Sequence, residues 1–318
     1  MKFKTYFNVA NSIERCLFIN VSDISMKLFK GKKLKQFFKV VIYNSERNSK
    51  SILEYLDRLN IKNIIIETSS LNRLPENLVN DIIHARLKGV TVYDAHEFYE
   101  FVNRRIPLVK LSSNEYLADD IFSIGLKKNF KLSMKRFFDF TVAICLLPFA
   151  LPLVIFACII NLIFSPGKVF FVQERVGIRA KNFKIYKIRT MKTNHSGGFT
   201  TQNDDRITFV GKFLRLSKID ELPQLYNILK GDMSLIGPRP ERPEFVHQCT
   251  IDNAFFDLRH VIKPGVTGWA QVNLPKATPE DNLKKLEYDL YYIKNYSMKL
   301  DFEIIIKTIR VVLTMNSN

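Results

Sequence analysis

Two acidic residues, Asp220 and Glu221, stand side by side in a strongly basic chain. Pro223 follows, then an apolar run and a Gly- and Pro-rich segment that holds Arg239. A carboxylate at a helix N-terminus is favoured in its ionised form, as a nucleophile requires. A neighbouring glutamate can hold a divalent cation through oxygen, and the cation screens a diphosphate. The pair therefore fits phosphoryl-transfer chemistry.

A purely structural role explains the same residues. The apolar positions after the pair, with Pro223 in a first turn and Gly231 at the end, predict a helix with Asp220 as its N-cap. Cations on both sides of the pair favour catalysis, because Arg and Lys bind phosphate oxygens. They are Arg206, Lys212, Arg215 and Lys218 before the pair, and Arg239 and Arg242 after it. The stiff GPRP segment can also hold Arg239 in place.

Composition limits the class of protein. The 318 residues allow two domains, and a net charge of +17 predicts an anionic partner: nucleic acid, anionic lipid or a phosphorylated substrate. The 26 Phe residues favour a membrane surface over nucleic acid, since the aromatic residues cluster with apolar neighbours rather than with cations. The four cysteines form no CxxC pair, which excludes a zinc site and a disulfide framework and indicates a reducing compartment.

Residues 140–164 carry no charge. As a straight helix they would be about 37 Å long, enough to cross a bilayer core of about 30 Å. Basic clusters flank both ends, which favours both ends on the cytoplasmic side. Pro148 and Pro152 each remove a backbone hydrogen bond and bend a helix. We therefore predict a re-entrant membrane helix at about 136–164, broken at Pro152, with a spanning helix as the alternative.

The N-terminal half has the pattern of a small α/β unit. Short β-branched runs at 39–43, 63–67 and 90–93 alternate with helical periodicity at 51–59 and 76–88. This βαβαβ order predicts a parallel sheet. The turn after the run at 39–43 contains no glycine, so we expect a structural or regulatory domain rather than a dinucleotide-binding one.

The C-terminal half resembles a known family. Residues 135–314 are similar to the bacterial sugar transferases that load polyprenyl phosphate, the monotopic phosphoglycosyl transferases. The matching motifs, in order, are KRFFDF (135–140), FFVQERVG (170–177), FKIYKIRTM (183–191), DELPQLYNILKGDMSLIGPRP (220–240) and PGVTGWAQVN (264–273). So many motifs in one order make the signal specific.

The resemblance implies an enzyme that transfers a sugar-1-phosphate from a UDP-sugar to undecaprenyl phosphate and releases UMP. Asp220 would become covalently phosphorylated by the sugar phosphate, and Glu221 would be a Mg²⁺ ligand and helper. Such a reaction would be the first membrane step of polysaccharide or glycoconjugate synthesis, such as lipopolysaccharide, capsule or exopolysaccharide. It would take place on the cytoplasmic face of the bacterial inner membrane. The sugar and the oligomeric state stay open, a homodimer included.

The resemblance assigns substrate phosphate binding to five cations. The sequence differs from the family pattern at two positions. The cations are Lys187, Arg189, Arg215, Arg239 and Lys263. Lys263 stands where many members have arginine, and lysine lacks the bidentate fork. Pro152 keeps the helix break, although Leu151 replaces the serine that often precedes it. Glu174 and Arg175 are assigned to structure around the site.

The domains expected are a Rossmann-like α/β domain at 1–125 and a mostly α, membrane-associated catalytic domain at 126–318. The first resembles a domain of the larger members, whose usual four upstream transmembrane helices are missing from this sequence, as in a short form or a truncated chain. Two other functions compete with the enzyme. One is a catalytically silent membrane scaffold that binds anionic lipid, and the other is a nucleic-acid-binding protein, which the aromatic pattern disfavours.

The basic flanks of 140–164 generate a topology prediction. Cysteines placed at Asn44 and at Asn194, in a chain whose own four cysteines are replaced by serine, should both lie on the cytoplasmic side. An impermeant thiol reagent should label neither in intact cells and both after lysis. Labelling of one position but not the other in intact cells would establish a spanning helix.

Overall fold

The computed structural model describes residues 14–29, 36–45, 51–67, 74–108, 129–192 and 204–314. The chain divides into two compact units, Met1–Lys110 and Leu111–Asn318. The predicted boundary between 125 and 126 lies outside the described residues, as does Asn194, so both predictions that use them stay predictions.

The first unit is an α/β domain, as predicted. Four parallel strands, in the order β2-β1-β3-β4, form its sheet: β1 (Glu14–Ile19), β2 (Phe38–Tyr43), β3 (Ile61–Ile66) and β4 (Thr91–Asp94). The helices are α1 (Asp23–Leu28), α2 (Ile52–Leu59), α3 (Glu76–Leu87) and α4 (Ala95–Asn103). Two apolar clusters cover the sheet, one around Phe18, Phe29 and Phe98 and the other around Ile52, Ile64 and Leu78.

The central strand of the sheet, β1, was not predicted from the sequence. β1 pairs with β2 on one side and with β3 on the other, so its last four residues are completely buried. A strand covered on both faces shows an unbroken apolar run rather than alternation. Here that run, CLFI, is only four residues long and follows the charged Glu14 and Arg15, so periodicity gave no signal.

The second unit is largely helical. Its helices are α5 (Asn129–Phe164), α6 (Phe209–Ser217), α7 (Gln224–Lys230), α8 (Pro243–Asp252), α9 (Trp269–Asn273), α10 (Asn282–Lys294) and α11 (Met298–Leu313). Its strands are β5 (Phe170–Val176), β6 (Asn182–Ile188), β7 (Ser234–Ile236) and β8 (Gly265–Thr267). The predicted extended segments form the antiparallel hairpin β5-β6, and β7 pairs with β8 in parallel.

Helix α5 runs without interruption through both Pro148 and Pro152, so the helix does not end at the predicted break, and a bend at Pro152 stays a prediction. Within the described residues it is the one helix long and apolar enough to cross a membrane, over Leu132–Phe164. Most of its large apolar side chains are exposed. They include Phe137, Ile144, Phe149, Leu151, Ile155, Phe156, Ile159 and Ile163. This exposure distinguishes α5 from the core helix of a water-soluble domain.

One narrow stripe of α5 is buried against the second unit. Ala143, Ala150 and Ala157 lie seven residues apart and pack in its apolar clusters. Polar residues extend the stripe at both ends: Asp139 accepts from the Leu235 N–H at 3.1 Å, and Asn161 donates to the Arg189 carbonyl at 2.6 Å. From Asp139 to Asn161, α5 is therefore held by the rest of the second unit.

A buried ion pair anchors the N-terminal part of α5. Lys135 Nζ lies 2.9 Å from Asp301 Oδ2 on α11, and the Tyr292 hydroxyl donates to Asp301 Oδ1 at 2.6 Å. Asp139, one turn along, lies 4.0 Å from Lys135. Removal of one partner from such a buried pair typically costs about 3–5 kcal/mol, because the other charge is left uncompensated.

In the first unit, the crevice where dinucleotides bind in related sheets is closed by a carboxylate. Strand order reverses between β1 and β3, and ligands of open α/β sheets bind at that point, beyond the carboxyl ends of the strands. Glu67, which is buried and directly follows β3, accepts from the Ser22 N–H at 2.9 Å. Ser22 is the N-cap of α1, so Glu67 stands where a phosphate would bind.

The full chain should therefore show no saturable binding of NAD or NADP. A phosphate would have to displace the Glu67 carboxylate, and no glycine follows β1 or β2 to let a pyrophosphate approach the backbone. Isothermal titration calorimetry at millimolar ligand measures this, with an NAD-dependent dehydrogenase as the positive control. A dissociation constant in the micromolar range would contradict the assignment of this unit.

Candidate active site

The Asp-Glu pair lies in a short 3₁₀ turn between two helices. Lys218 ends α6 in a left-handed conformation (φ 59°) and turns the chain into the 3₁₀ turn Ile219–Glu221. Helix α7 follows and ends at Gly231 (φ 97°), as predicted. The predicted N-cap role of Asp220 is wrong, because the N-cap of α7 is Pro223 and no side chain caps this helix. Asp220 is therefore not held in place by capping.

Asp220 is buried without a hydrogen bond at one oxygen. Its side chain is 7% exposed, and Oδ1 has no hydrogen-bond partner among the described residues. Burial, and then the like charge of Glu221, raise the pKa of Asp220 from 3.8 to about 6, although Lys187, Lys218 and Arg215 oppose the rise. The expectation that the ionised form is favoured is therefore wrong, since burial disfavours it. With a pKa of about 6 the carboxyl group is nevertheless ionised at neutral pH and poorly solvated, which suits a nucleophile.

Glu221 is held as an anion. Burial alone would raise its pKa, but Lys187, Arg239 and Lys218 hold the pKa well below its usual range. Lys187 Nζ lies 2.7 Å from Glu221 Oε1, and Arg239 Nη2 lies 3.8 Å from the same oxygen. Burial in turn lowers the pKa of Lys187, and Glu221 is the main opposing influence. The two neighbouring carboxylates therefore have divergent acidities, with Glu221 the permanent anion.

Packed backbones position Arg239. Gly237 donates to the Thr267 carbonyl at 2.9 Å, and Gly265 donates to the Pro238 carbonyl at 2.9 Å. A Cβ on Gly237 would meet the Lys263 carbonyl oxygen at 2.4 Å, and one on Gly265 would meet the Gly237 nitrogen at 2.1 Å. The GPRP and PGVTG motifs need glycine because they lie against each other. Their contact fixes the segment from which Arg239 extends, half-exposed, toward Glu221.

Three of the five predicted phosphate-binding cations lie around the pair. They are Lys187, Arg215 and Arg239. Burial lowers the pKa of Arg215, Asp220 opposes that effect, and Arg215 Nε donates to Thr190 Oγ1 at 2.8 Å. This bond ties α6 to the end of the β5-β6 hairpin.

The other two predicted cations lie elsewhere. Arg189 is buried, and its guanidinium donates to the carbonyls of Ser165 and Pro166, just beyond the end of α5. Lys263 lies beside Gly231 and Arg136, at the opposite end of α7 from the pair. Arg189 binds carbonyls just beyond the end of α5, whereas Lys263 only lies near the end of α7. Their assignment to phosphate stays a prediction.

Arg175 and Lys218 complete the cationic surroundings. The sequence placed Lys218 among the cations before the pair and Arg175 in the structure around the site, but it predicted phosphate binding for neither. Arg175 donates to the Pro240 carbonyl at 3.1 Å and lines a small cavity of about 10 Å³ with Lys187 and Arg239. Burial lowers its pKa to about 10. Its place in the FFVQERVG motif was the available signal, but only the hairpin fold brings β5 beside Arg239.

The pair fits a magnesium ion held partly by substrate. Among the described residues no cluster of three or more metal-ligating side chains exists, so the protein offers no complete cage. Mg²⁺ is commonly held by one or two carboxylates with water and substrate phosphates. Glu221 stays ionised, and the unpartnered Oδ1 of Asp220 lies beside it in the chain, which gives carboxylate oxygens of that kind.

Comparison with known proteins decides the family. A family model described as bacterial sugar transferase matches residues 130–315, more than half of the chain. The chain belongs to the bacterial sugar transferase family. All the site residues described above lie within the matched range, so this family assignment covers the whole candidate site.

Three curated proteins are similar in sequence to this chain. A UDP-N-acetylgalactosamine-undecaprenyl-phosphate N-acetylgalactosaminephosphotransferase of Aeromonas hydrophila is 40% identical over 72% of this chain and 53% of its own length. An uncharacterized sugar transferase of Bacillus subtilis is 41% identical over 57% of this chain and 87% of its own length. A UDP-glucose:undecaprenyl-phosphate glucose-1-phosphate transferase of Escherichia coli K12 is 38% identical over 55% of this chain and 39% of its own length. The chain thus spans about half of the Aeromonas relative.

The raised pKa of Asp220 generates a stability prediction for this family member. The folded state binds this proton more tightly than the unfolded chain, so the free energy of unfolding falls as pH rises from about 4 to about 6. Asp220→Asn removes the ionisation. It should stabilise the protein above pH 6 by on the order of 2–3 kcal/mol, with the gain vanishing below pH 4.

Thermal unfolding of both proteins at pH 4 and pH 7.5 measures this difference. The exposed Asp252 gives the matched control, and Asp252→Asn should show no such pH-dependent gain. An N-cap role predicts near-neutral behaviour at both pH values, because Asn caps about as well as Asp. An equal stability change at the two pH values would mean that the burial of Asp220 has no energetic consequence.

Proposed function

We propose that this chain transfers a sugar-1-phosphate from a UDP-sugar to undecaprenyl phosphate, with Asp220 as the nucleophile. One observation carries the proposal. Asp220 is a buried carboxylate next to a second carboxylate and among cations, and one of its oxygens has no hydrogen-bond partner in the described part of the chain. Relatives named for transfer between UDP-sugars and undecaprenyl phosphate supply the substrate classes. A silent lipid-binding scaffold has no use for a carboxylate kept ionised in a poorly solvated position.

The reaction proceeds in two displacements at one phosphorus atom. A carboxylate oxygen of Asp220 attacks the phosphorus that carries the sugar, the bond from that phosphorus to the bridging diphosphate oxygen breaks, and UMP leaves with that oxygen. An oxygen of undecaprenyl phosphate then attacks the same phosphorus and regenerates the Asp220 carboxylate. The products are UMP and the sugar linked to undecaprenyl through a diphosphate, so atoms and charge balance.

The cations make the first displacement feasible. A diphosphate approaching two carboxylates is repelled, and phosphoryl transfer is catalysed mainly by positioning and by charge stabilisation. Lys187 forms an ion pair with Glu221, Arg239 lies close to the same carboxylate, and the charge of Arg215 lowers the pKa of Asp220. Arg239, whose side chain is 44% exposed, is the cation best placed to move from Glu221 to a bound phosphate.

Magnesium is the proposed cofactor. Glu221 would hold the ion, and substrate phosphates would complete its coordination. When bound, the ion would screen the charge of the diphosphate and of the departing UMP. Lys187 would keep Glu221 oriented for this task, since it already holds one of its oxygens at 2.7 Å.

The proposed membrane topology is re-entrant. Lys135 and Asp139 near one end of α5, and Asn161 near the other, all bond to the second unit. At about 1.5 Å per residue, these contacts span roughly 39 Å of helix. A polar domain that holds both ends of an apolar helix favours both ends on one side of the bilayer. We place that side in the bacterial cytoplasm, where UDP-sugars would reach the site, with α5 in the inner membrane.

Asp220→Asn should abolish UMP release, by a factor of at least about 10³, while the protein stays folded, because the amide cannot attack phosphorus. The assay contains UDP-sugars, undecaprenyl phosphate and magnesium. UDP-sugar labelled in the sugar and given without acceptor should leave the label on wild-type protein, on the peptide that contains Asp220. Asp252→Asn serves as the control with normal turnover and normal adduct.

Glu221→Gln should reduce turnover strongly but leave Asp220 in place, and excess magnesium should restore part of the loss. The outcome that defeats the covalent mechanism is near-normal UMP release by Asp220→Asn together with no adduct on the wild type. Loss of activity in Asp220→Asn without any adduct would instead favour a direct, single displacement.

A further inference from the structure

An apolar groove begins where the Asp-Glu pair ends. It has a volume of about 280 Å³, close to the lower limit of small-molecule pockets at roughly 300 Å³. One wall belongs to α5, another to the β5-β6 hairpin, and the third to the start of α7. Residues that represent these walls are Leu147, Leu151, Val154, Phe170, Tyr186 and Tyr226.

The groove connects two surfaces of different chemistry. Leu222 and Pro223, which line it, directly follow Glu221 in the chain, so its inner end lies next to the cationic site. Leu151, on the opposite wall, is half-exposed and belongs to the apolar outer surface of α5. A ligand that fills the groove therefore has hydrocarbon along its length and its anionic group at the pair.

The apolar lining of the groove is unsuited to the polar parts of the UDP-sugar. The tyrosine hydroxyls of Tyr186 and Tyr226 are the only polar side-chain groups among the lining residues. Uracil and ribose carry several hydrogen-bonding groups, and burying such groups without partners is costly. The groove is thus suited to a chain of branched hydrocarbon, and its aromatic rings offer flat apolar surface to such a chain.

We propose that this groove holds the first isoprene units of the polyprenyl phosphate acceptor and so aims its phosphate at Asp220. The inference rests on the proposed function and adds the residues that select the lipid. The acceptor must keep its tail in the apolar phase while its phosphate reaches a buried carboxylate. A groove that runs from the outer surface of α5 to Leu222 meets both requirements.

A matched pair of variants tests the groove. Leu151 and Ile155 lie one turn apart on α5 and are 52% and 57% exposed, but only Leu151 lines the groove. Leu151→Gln should raise the KM for undecaprenyl phosphate about tenfold and leave adduct formation from UDP-sugar alone unchanged. Ile155→Gln should leave both within about twofold. Equal effects of the two changes on KM would overturn the proposal.

Direct labelling supplies a readout besides activity. A farnesyl phosphate analogue with a photoreactive diazirine near its phosphate should label peptides 147–154 and 222–226 of the full-length Asp220→Asn protein. Excess undecaprenyl phosphate should remove the label, whereas phosphatidylglycerol should not. Removal by both lipids alike, or label placed outside these peptides, would overturn the proposal by showing a general lipid surface.

The outcomes separate this inference from the proposed function. If the wild type forms the adduct and turns over undecaprenyl phosphate while the Leu151 and Ile155 variants behave alike, the function stands and the groove assignment fails. If the wild type neither forms an adduct nor releases UMP with any UDP-sugar, both fail. Labelling confined to the groove together with a selective KM effect supports the acceptor subsite.

Discussion

Two neighbouring carboxylates, buried together, can exist in this fold only because cations from several elements surround them. Burial and mutual repulsion favour protonation of both, as the raised pKa of Asp220 shows. Lys187 from the hairpin and Arg239 from the GPRP segment compensate Glu221. Each must be held by its own element, so the hairpin and the two glycine-packed motifs are needed to keep the pair charged. Lys218 and Arg215 add further positive charge around the pair, which fits the diphosphate of the proposed donor.

Helix α5 combines two roles that usually belong to different helices. Its outer surface is apolar and exposed, as expected of a helix in lipid, while a stripe of alanines and polar residues packs against the domain. Alanines let α5 approach closely, and Lys135 and Asp139 specify the register through Asp301 and the Leu235 N–H. Because the stripe runs along most of the helix, the apolar phase is brought close to the start of α7. This arrangement fits the proposal that a soluble donor and a lipid acceptor meet at Asp220.

The two units of the chain illustrate opposite uses of a carboxylate. In the first unit Glu67 satisfies a backbone N–H and closes the crevice where a phosphate would bind. In the second unit Asp220 keeps one oxygen without a hydrogen-bond partner among the described residues, at a cost in stability that is consistent with the proposed function. The physical difference is the partner. Glu67 is bound to a fixed backbone donor, whereas Asp220 keeps an acceptor oxygen available for the nucleophilic role that we propose.

Much of this could be predicted from the sequence, because the signals are local. Interactions between residues close in the chain are enough to predict the uncharged stretch at 140–164, the β-branched runs of the first unit and the helix ending at Gly231. The order of the motifs was enough to predict the family. Tertiary structure decided the rest. It made Asp220 a residue of a 3₁₀ turn rather than an N-cap, brought Arg175 beside Arg239 and placed Lys263 at the far end of α7. Charge alone cannot tell which arginines and lysines converge, since that depends on strand pairing and backbone contact between residues far apart in the chain.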